Sequence, residues 1–269
     1  MIFVTGFGQM CNNILQFGHL YAWGKEHGVK VIAMRFCYKY PFFKISSQRG
    51  YNWFAYLWAK YGAQSGLIRR IDFDDESSLT PSNLHLLLHA RFVVAGGWQF
   101  RDYEAFLRKK DELRALFAFK PSIIRKVNAA LPAAGAGIRL GVHIRRGDYA
   151  RWQEGRYLFS DEDYLNIIRS FAGNIQAERL QILIATNDPS LSLETYRKAL
   201  GGEVCGLSGN AGEDLYALST CHYIMGAPST FSLMASFYND TPLYWIFDKH
   251  KEPDIHSFRS FDYLFRHII

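Results

Sequence analysis

His143-Ile144-Arg145-Arg146-Gly147-Asp148-Tyr149 crowds two guanidinium groups, an imidazole and a carboxylate into one short stretch. Residues 140–144 read as an apolar strand, and in open α/β sheets ligands lie in the crevice beyond the carboxyl ends of strands. A guanidinium is permanently charged and offers a planar fork of donors, so two in a row suit a diphosphate better than a lone carboxylate. The plainer alternative is a surface salt-bridge loop. A second anion-binding pattern is Ser229-Thr230-Phe231-Ser232, read as the opening of a helix, where hydroxyls, backbone N–H groups and the positive end of the dipole converge. N-capping by itself accounts for one of those three hydroxyls. Arg146-Gly147-Asp148 also spells an adhesion tripeptide, but so short a match recurs by chance and here it follows a strand.

Such groups need an α/β scaffold to hold them. Residues 2–5 read as a strand, Gly6-Phe7-Gly8-Gln9-Met10-Cys11 as a glycine-bearing turn, and a helix starts near Asn12 and runs toward His27. Gly28 is the expected C-terminal cap, and a second strand at 29–33 completes a βαβ unit with parallel strands. Gly6 and Gly8 suggest a dinucleotide turn, but Cys11 replaces the third glycine and no acidic residue follows about 20 positions on. Residues 34–80 read as aromatic and irregular, ending in the acidic run Asp72-Phe73-Asp74-Asp75-Glu76, a solvated loop whose DxD spelling is taken as coincidence. Helical patterns follow at 102–117 and 121–131, and Pro132 to Gly137 reads as a linker. The expected domains are therefore 1–135 and 136–269. In the second, Ser160 with Asp163 forms an imperfect capping box. A strand at 181–186 ends at Asn187-Asp188-Pro189, and a helix near 214–220 precedes a strand at 223–226.

Of 269 residues, 49% are hydrophobic and 21% charged, which fits a soluble globular protein and excludes a disordered one. The balance of 31 Lys+Arg against 25 Asp+Glu gives +6, which fits an anionic ligand or peripheral association with an anionic membrane surface. The basic residues read as scattered and no nucleic-acid module is spelled, so no nucleic-acid partner is expected. The start lacks a signal peptide's basic region, and no window reaches the roughly 18 apolar residues of a membrane span. A cytoplasmic location, at most peripheral to the inner face of the membrane, is the expectation. Cys11, Cys37, Cys205 and Cys221 form no metal-ligand spacing and read as free thiols. The 16% aromatic content is read as mostly core, with some rings left as sugar-stacking platforms.

HIRRGDY resembles the HxRRGDY motif of the fucosyltransferases of glycosyltransferase family 11 and of the wider α1,2-, α1,6- and protein O-fucosyltransferase superfamily. Three further segments resemble family 11 in order: Asn12-Asn13-Ile14-Leu15-Gln16-Phe17, Gly97-Trp98-Gln99 with Tyr103, and Glu213 to Cys221 together with Phe231-Ser232. The resemblance implies an α/β, GT-B-like fold of two Rossmann-like halves facing across a cleft, the first on the acceptor side and the second binding a GDP-sugar. It implies an inverting, α1,2-type transfer of L-fucose from GDP-β-L-fucose to a glycan acceptor, with no metal and no cofactor beyond the donor substrate.

Residue roles carry over by position. Arg145 binds the diphosphate and neutralises the leaving group, and Asn12, or a simple helix cap, lies near the fucosyl group and its leaving oxygen. Asn13 belongs to the same segment. His143 and Asp214 match positions that read guanine, against the alternatives of a core histidine satisfied by backbone and a helix N-terminal charge. A carboxylate accepts from guanine N1–H and N2–H together, which adenine cannot offer. Ser229, Thr230, Phe231 and Ser232 contact donor phosphates. Arg146 is either a second diphosphate ligand or a structural partner of Asp148, and Asp188 is either a nucleotide-side turn or an Asx turn before proline. The sequence departs from the family at Leu233-Met234, Pro228 and Gln9-Met10-Cys11, changes expected to touch the sugar and acceptor side. A transferase using another nucleotide sugar, and a non-catalytic nucleotide- or glycan-binding protein, are the alternatives.

Overall fold

A computed structural model describes residues 1–132, 137–175, 179–201, 203–207 and 209–268. It divides by internal contacts into Met1–Lys120 and Pro121–Ile269. The proposed linker at 132–137 falls largely outside the described residues. The division precedes it because the helix at Pro121–Ala130 packs on a helix of the second unit, an association fixed by Lys126 Nζ donating to Glu213 at 2.8 Å.

The first unit runs β1 (Ile2–Val4), α1 (Met10–Glu26), β2 (Val31–Ala33), α2 (Trp53–Gln64), β3 (Arg69–Asp72), α3 (Pro81–His89), β4 (Val93–Gly96), α4 (Tyr103–Arg108) and α5 (Lys110–Leu116). Its four-stranded sheet has the order β2-β1-β4-β3, with every pairing parallel. The order reverses between β1 and β4, so the crevice of this sheet lies beyond Val4 and Gly96. Residues 34–80, expected to be irregular, contain α2 and β3. The pattern hid them because α2 buries only small residues, Ala59 and Gly62, and β3 is an edge strand with one buried position, Ile71. The 102–117 pattern is two helices that break at Lys109.

The second unit runs α6 (Pro121–Ala130), β5 (Ile138–Ile144), α7 (Asp161–Asn174), β6 (Leu180–Thr186), α8 (Leu193–Leu200), β7 (Glu203–Gly206), α9 (Ala211–Ser219), β8 (Tyr223–Gly226), α10 (Thr230–Asn239), β9 (Leu243–Trp245) and α11 (Phe261–Arg266). Its sheet is parallel throughout with the order β7-β6-β5-β8-β9, a doubly wound arrangement whose switch point lies between β5 and β8. Leu140, Val142 and Ile144 alternate into a core with Tyr164, Ile168 and Phe171 of α7, all fully buried. Each such side chain contributes about 1.5–3 kcal/mol. Ser160 and Asp163 complete a full capping box, the Asp163 carboxylate accepting from Ser160 N at 2.9 Å while Ser160 Oγ accepts from Asp163 N at 3.2 Å. The four cysteines are free thiols, and no helix among the described residues is long and apolar enough to cross a membrane.

Candidate functional site

All strands of the second sheet point the same way, so the segments after β5, β6, β7 and β8 leave from one edge. That edge collects His143, Arg145, Arg146, Asp148, Asp188, Asp214 and Ser229 to Ser232. Arg145 follows β5, and its Nε and Nη2 donate to the two Asp148 oxygens at 3.0 and 2.8 Å. Gly147 makes that pairing possible. Its φ of +66° is a left-handed turn open to glycine, and it folds Asp148 back beneath Arg145. Asp148 is thus paired to Arg145 and not to Arg146, as one sequence reading had it. The guanidinium also lies 5.6 Å from the Tyr149 ring, and no partner for its Nη1 is present among the described residues.

Arg146 points elsewhere. It pairs with Asp188 at 3.0 Å and with Asp161, whose carboxylate also accepts from the buried Tyr196 hydroxyl at 2.7 Å. Burial alone would lower its pKa, but the two carboxylates raise it overall. Asn187 brackets the Arg146 main chain, accepting from its N at 2.8 Å and donating to its O at 3.0 Å. Asp188 forms the Asx turn, accepting from Ser190 N at 2.9 Å, and Ser190 with Arg146 holds its carboxyl below the usual range. In the structure Arg146 and Asp188 are therefore anchors that tie the loop after β5 to the loop after β6. Arg146→Ala is expected to cost about 2 kcal/mol by stranding two carboxylates, the partial exposure of the cluster holding the figure below that of a fully buried pair. An unchanged urea midpoint would count against this anchoring.

His143 is 3% exposed, its ring stacks on Phe231 at 4.9 Å between centroids, and its Nδ1 has no hydrogen-bond partner. It is not the backbone-satisfied core histidine of the alternative reading. Burial first, and then the Arg145 charge, push its pKa down to about 3, so the ring is neutral near pH 7. An orphaned buried ring nitrogen costs free energy unless a ligand meets it.

Asp214 occupies the first turns of α9. Asn210 caps that helix, accepting from Gly212 N and Glu213 N, and Glu213 is neutralised by Lys126. No hydrogen bond or ion pair reaches the Asp214 carboxyl among the described residues. Burial, with the neighbouring Glu213 charge second, pushes its pKa up to about 7.

Ser229 caps α10, its Oγ accepting from Phe231 N at 3.1 Å. Thr230 is the first residue of that helix. Ser232 faces inward instead: it is fully buried, donates to Ser229 O and accepts from Trp245 Nε1, both at 3.1 Å, so both hydroxyl functions are spent. Leu233 and Met234 are also fully buried, so this departure repacks the core and does not touch a sugar. Pro228 offers its carbonyl to the buried Tyr149 hydroxyl, which ties the β5 loop to the α10 entrance. Sequence reasoning missed Asp161 and Tyr196 and gave Tyr149 no role beyond its place in the motif, because pairings made across the interior leave no local pattern.

In the first unit, α1 begins at Met10 with Gln9 at the N-cap, so Asn12 lies within the first turn and is not the cap. Asn13, 2% exposed, donates through Nδ2 to Phe7, Gly8 and Gln9 carbonyls, the last at 2.6 Å, and so folds the glycine turn over the helix. A Cβ on Gly6 would stand 1.8 Å from Asn13 Oδ1, so that close approach requires glycine. Asn13 Oδ1 and Gln16 Oε1 are both buried without a partner. After β4, Trp98 is covered by the Arg101 guanidinium at 3.9 Å. Asp72, of the DxD spelling, is engaged in a bidentate pair with Arg70 at 2.7 and 2.8 Å.

The family model of glycosyl transferase family 11 matches residues 54–249, a span that contains every site segment except Asn12 and Asn13. The chain belongs to glycosyl transferase family 11. It is accordingly a glycosyltransferase, and no curated protein matches it. Among solved structures this family 11 chain resembles Arabidopsis thaliana FUT1, a substituted form in complex with GDP, at 12% identity and a TM-score of 0.59, covering 96% of this chain and 73% of that one. It resembles NodZ α-1,6-fucosyltransferase co-crystallised with GDP at 14% and 0.57, covering 90% and 94%. POFUT1 in complex with GDP-fucose follows at 13% and 0.55, covering 91% and 96%. At these identities the likeness establishes a shared GT-B-like fold.

Proposed function

We propose that this family 11 chain transfers L-fucose from GDP-β-L-fucose to a glycan hydroxyl with inversion, giving an α1,2-type fucoside. The observation that carries the reading is the set of groups left without partners at one edge of the second sheet: Arg145 Nη1, the Asp214 carboxyl and His143 Nδ1. Together they offer a cation for a diphosphate and acceptors for the polar edge of guanine. The GDP and GDP-fucose complexes of the similar folds support the same donor.

In this reading the base lies toward His143 and Asp214, and Asp214 in its ionised form accepts from N1–H and N2–H of guanine. The diphosphate meets Arg145 and the N-terminus of α10 at Ser229 and Thr230. As the glycosidic bond breaks, charge grows on the leaving phosphate. Arg145, held rigid by Asp148 and Tyr149, and the α10 dipole meet that charge without reorganising. Residues 1–120 are assigned the acceptor, with Asn12 on the sugar side and Asn13 holding the glycine turn beside it. Asp148 and Tyr149 are positioning residues.

Calorimetric titration with GDP, ADP and UDP tests the donor. GDP is expected to bind selectively and Arg145→Ala to abolish or sharply weaken the heat. Binding of UDP in preference would move the enzyme to another donor, and absence of binding by all three would remove the donor site from this edge.

A further inference from the structure

Of fourteen exposed large hydrophobic side chains among the described residues, six lie within fifteen positions: Trp53, Phe54, Leu57, Trp58, Tyr61 and Leu67. Phe54, Leu57, Trp58 and Tyr61 recur at the spacing of one helical face, and Phe54 is 84% and Trp58 55% exposed. The opposite face of α2 buries Ala59 and Gly62 and, with Tyr56 and Lys60, borders a cavity of about 420 Å³ that Arg35 and Arg70 also line. A helix that shows its rings to solvent and its small residues to the core is inverted relative to an ordinary surface helix.

Charge is concentrated in the same region. Residues 27–71 hold eight Lys and Arg and no Asp or Glu, whereas the rest of the chain holds 23 basic and 25 acidic residues. Along the chain the stretch that contains α2 thus carries +8, against −2 for the remainder.

We propose that α2 docks this unit on an anionic lipid surface. Trp and Tyr, with an apolar body and a polar edge, settle at the boundary of headgroups and acyl chains, and Phe54 and Leu57 reach past it. Lys60 and Arg69 meet headgroup phosphates, and no Asp or Glu within residues 27–71 opposes them, the acidic run beginning at Asp72, which Arg70 pairs. A second copy of the chain would oppose two segments of the same sign, which argues against self-association through this face. The proposal is independent of the donor assignment.

The test is co-sedimentation of the full chain with vesicles of phosphatidylcholine alone or mixed with phosphatidylglycerol. Binding is expected to the mixed vesicles and to weaken as salt rises toward 1 M, where the Debye length falls from about 10 to about 3 Å. Phe54→Ser with Trp58→Ser is expected to lower partitioning about tenfold or more, and Lys60→Glu with Arg69→Glu to do likewise. Phe54, Trp58 and Arg69 are exposed and Lys60 is half-buried, and none belongs to the assigned donor site, so circular dichroism and nucleotide affinity should stay unchanged. Tryptophan emission should shift to the blue on mixed vesicles and lose that shift in Trp53→Phe with Trp58→Phe. Absence of binding to mixed vesicles, or full binding by the serine variant, would overturn the proposal. So would a concentration-dependent dimer that the serine variant dissolves, which would give this face to a second copy.

Discussion

Arg145→Ala is expected to lower kcat with GDP-fucose about 10²- to 10³-fold, the loss typical of removing one preorganised donor from a developing oxyanion. The size follows from how Arg145 is held. Two hydrogen bonds to Asp148 and the neighbouring Tyr149 ring fix its guanidinium before any donor arrives, so little reorganisation is left for the reaction step. The side chain is 18% exposed, which keeps its charge near the surface of the crevice and only partly screened. Arg145→Lys should recover little, since an ammonium cannot keep the fork on Asp148 while meeting a phosphate. Steady-state kinetics of the folded variants decide it: near-normal kcat in Arg145→Ala would remove this residue from leaving-group stabilisation. Asp148→Asn should give a milder loss, because it loosens the guanidinium without deleting it.

Asp214→Asn is expected to weaken GDP binding by about 10²-fold and to stabilise the fold at the same time. The affinity loss follows because an amide offers one acceptor and one misplaced donor where guanine presents two donors. The stability gain follows from the sign of the pKa shift. The folded value, about 7, stands above the unfolded value of about 3.9, so the fold favours the protonated acid. That contribution is complete below about pH 4 and is lost as pH rises through 7, where the chain must carry a half-buried anion. At pH 8 the asparagine variant should therefore be more stable by about 1–2 kcal/mol, a figure kept low because the carboxyl is partly exposed, and the gain should vanish toward pH 4. In the native protein GDP affinity should rise with pH through 7, as the carboxyl becomes an acceptor. Urea unfolding at both pH values, beside GDP titration, checks the pair of effects. A variant that lost stability and kept its GDP affinity would make Asp214 a structural residue.

A residue that costs stability and gains a ligand explains why the site is partly hidden in the sequence. HIRRGDY marks the loop after β5 because Arg, Gly and Asp act locally: Gly147 supplies a left-handed turn and Asp148 folds back three residues onto Arg145. The alternating apolar strands, the capping box at Ser160 and the βαβ rhythm are likewise short-range, since a strand alternates and a cap spans one turn. These were legible, and so were the order of the motifs and the membership they implied. The division of labour between the two arginines was not, because Arg146 is claimed by Asp188, 42 positions away, and by Asp161. Nor was the inward turn of Ser232 onto Trp245, or the burial of Leu233 and Met234.

The sequence by itself determined which chemistry the chain carries, through side-chain types and spacings that act within a turn or a loop. Only the tertiary structure decided which of those groups stay unpartnered and which are spent as anchors, because burial and pairing are set by elements far apart in the chain. Helix α2 makes the same point: its stretch reads as aromatic and irregular, yet the fold seats a helix there on Ala59 and Gly62 and turns most of its rings outward.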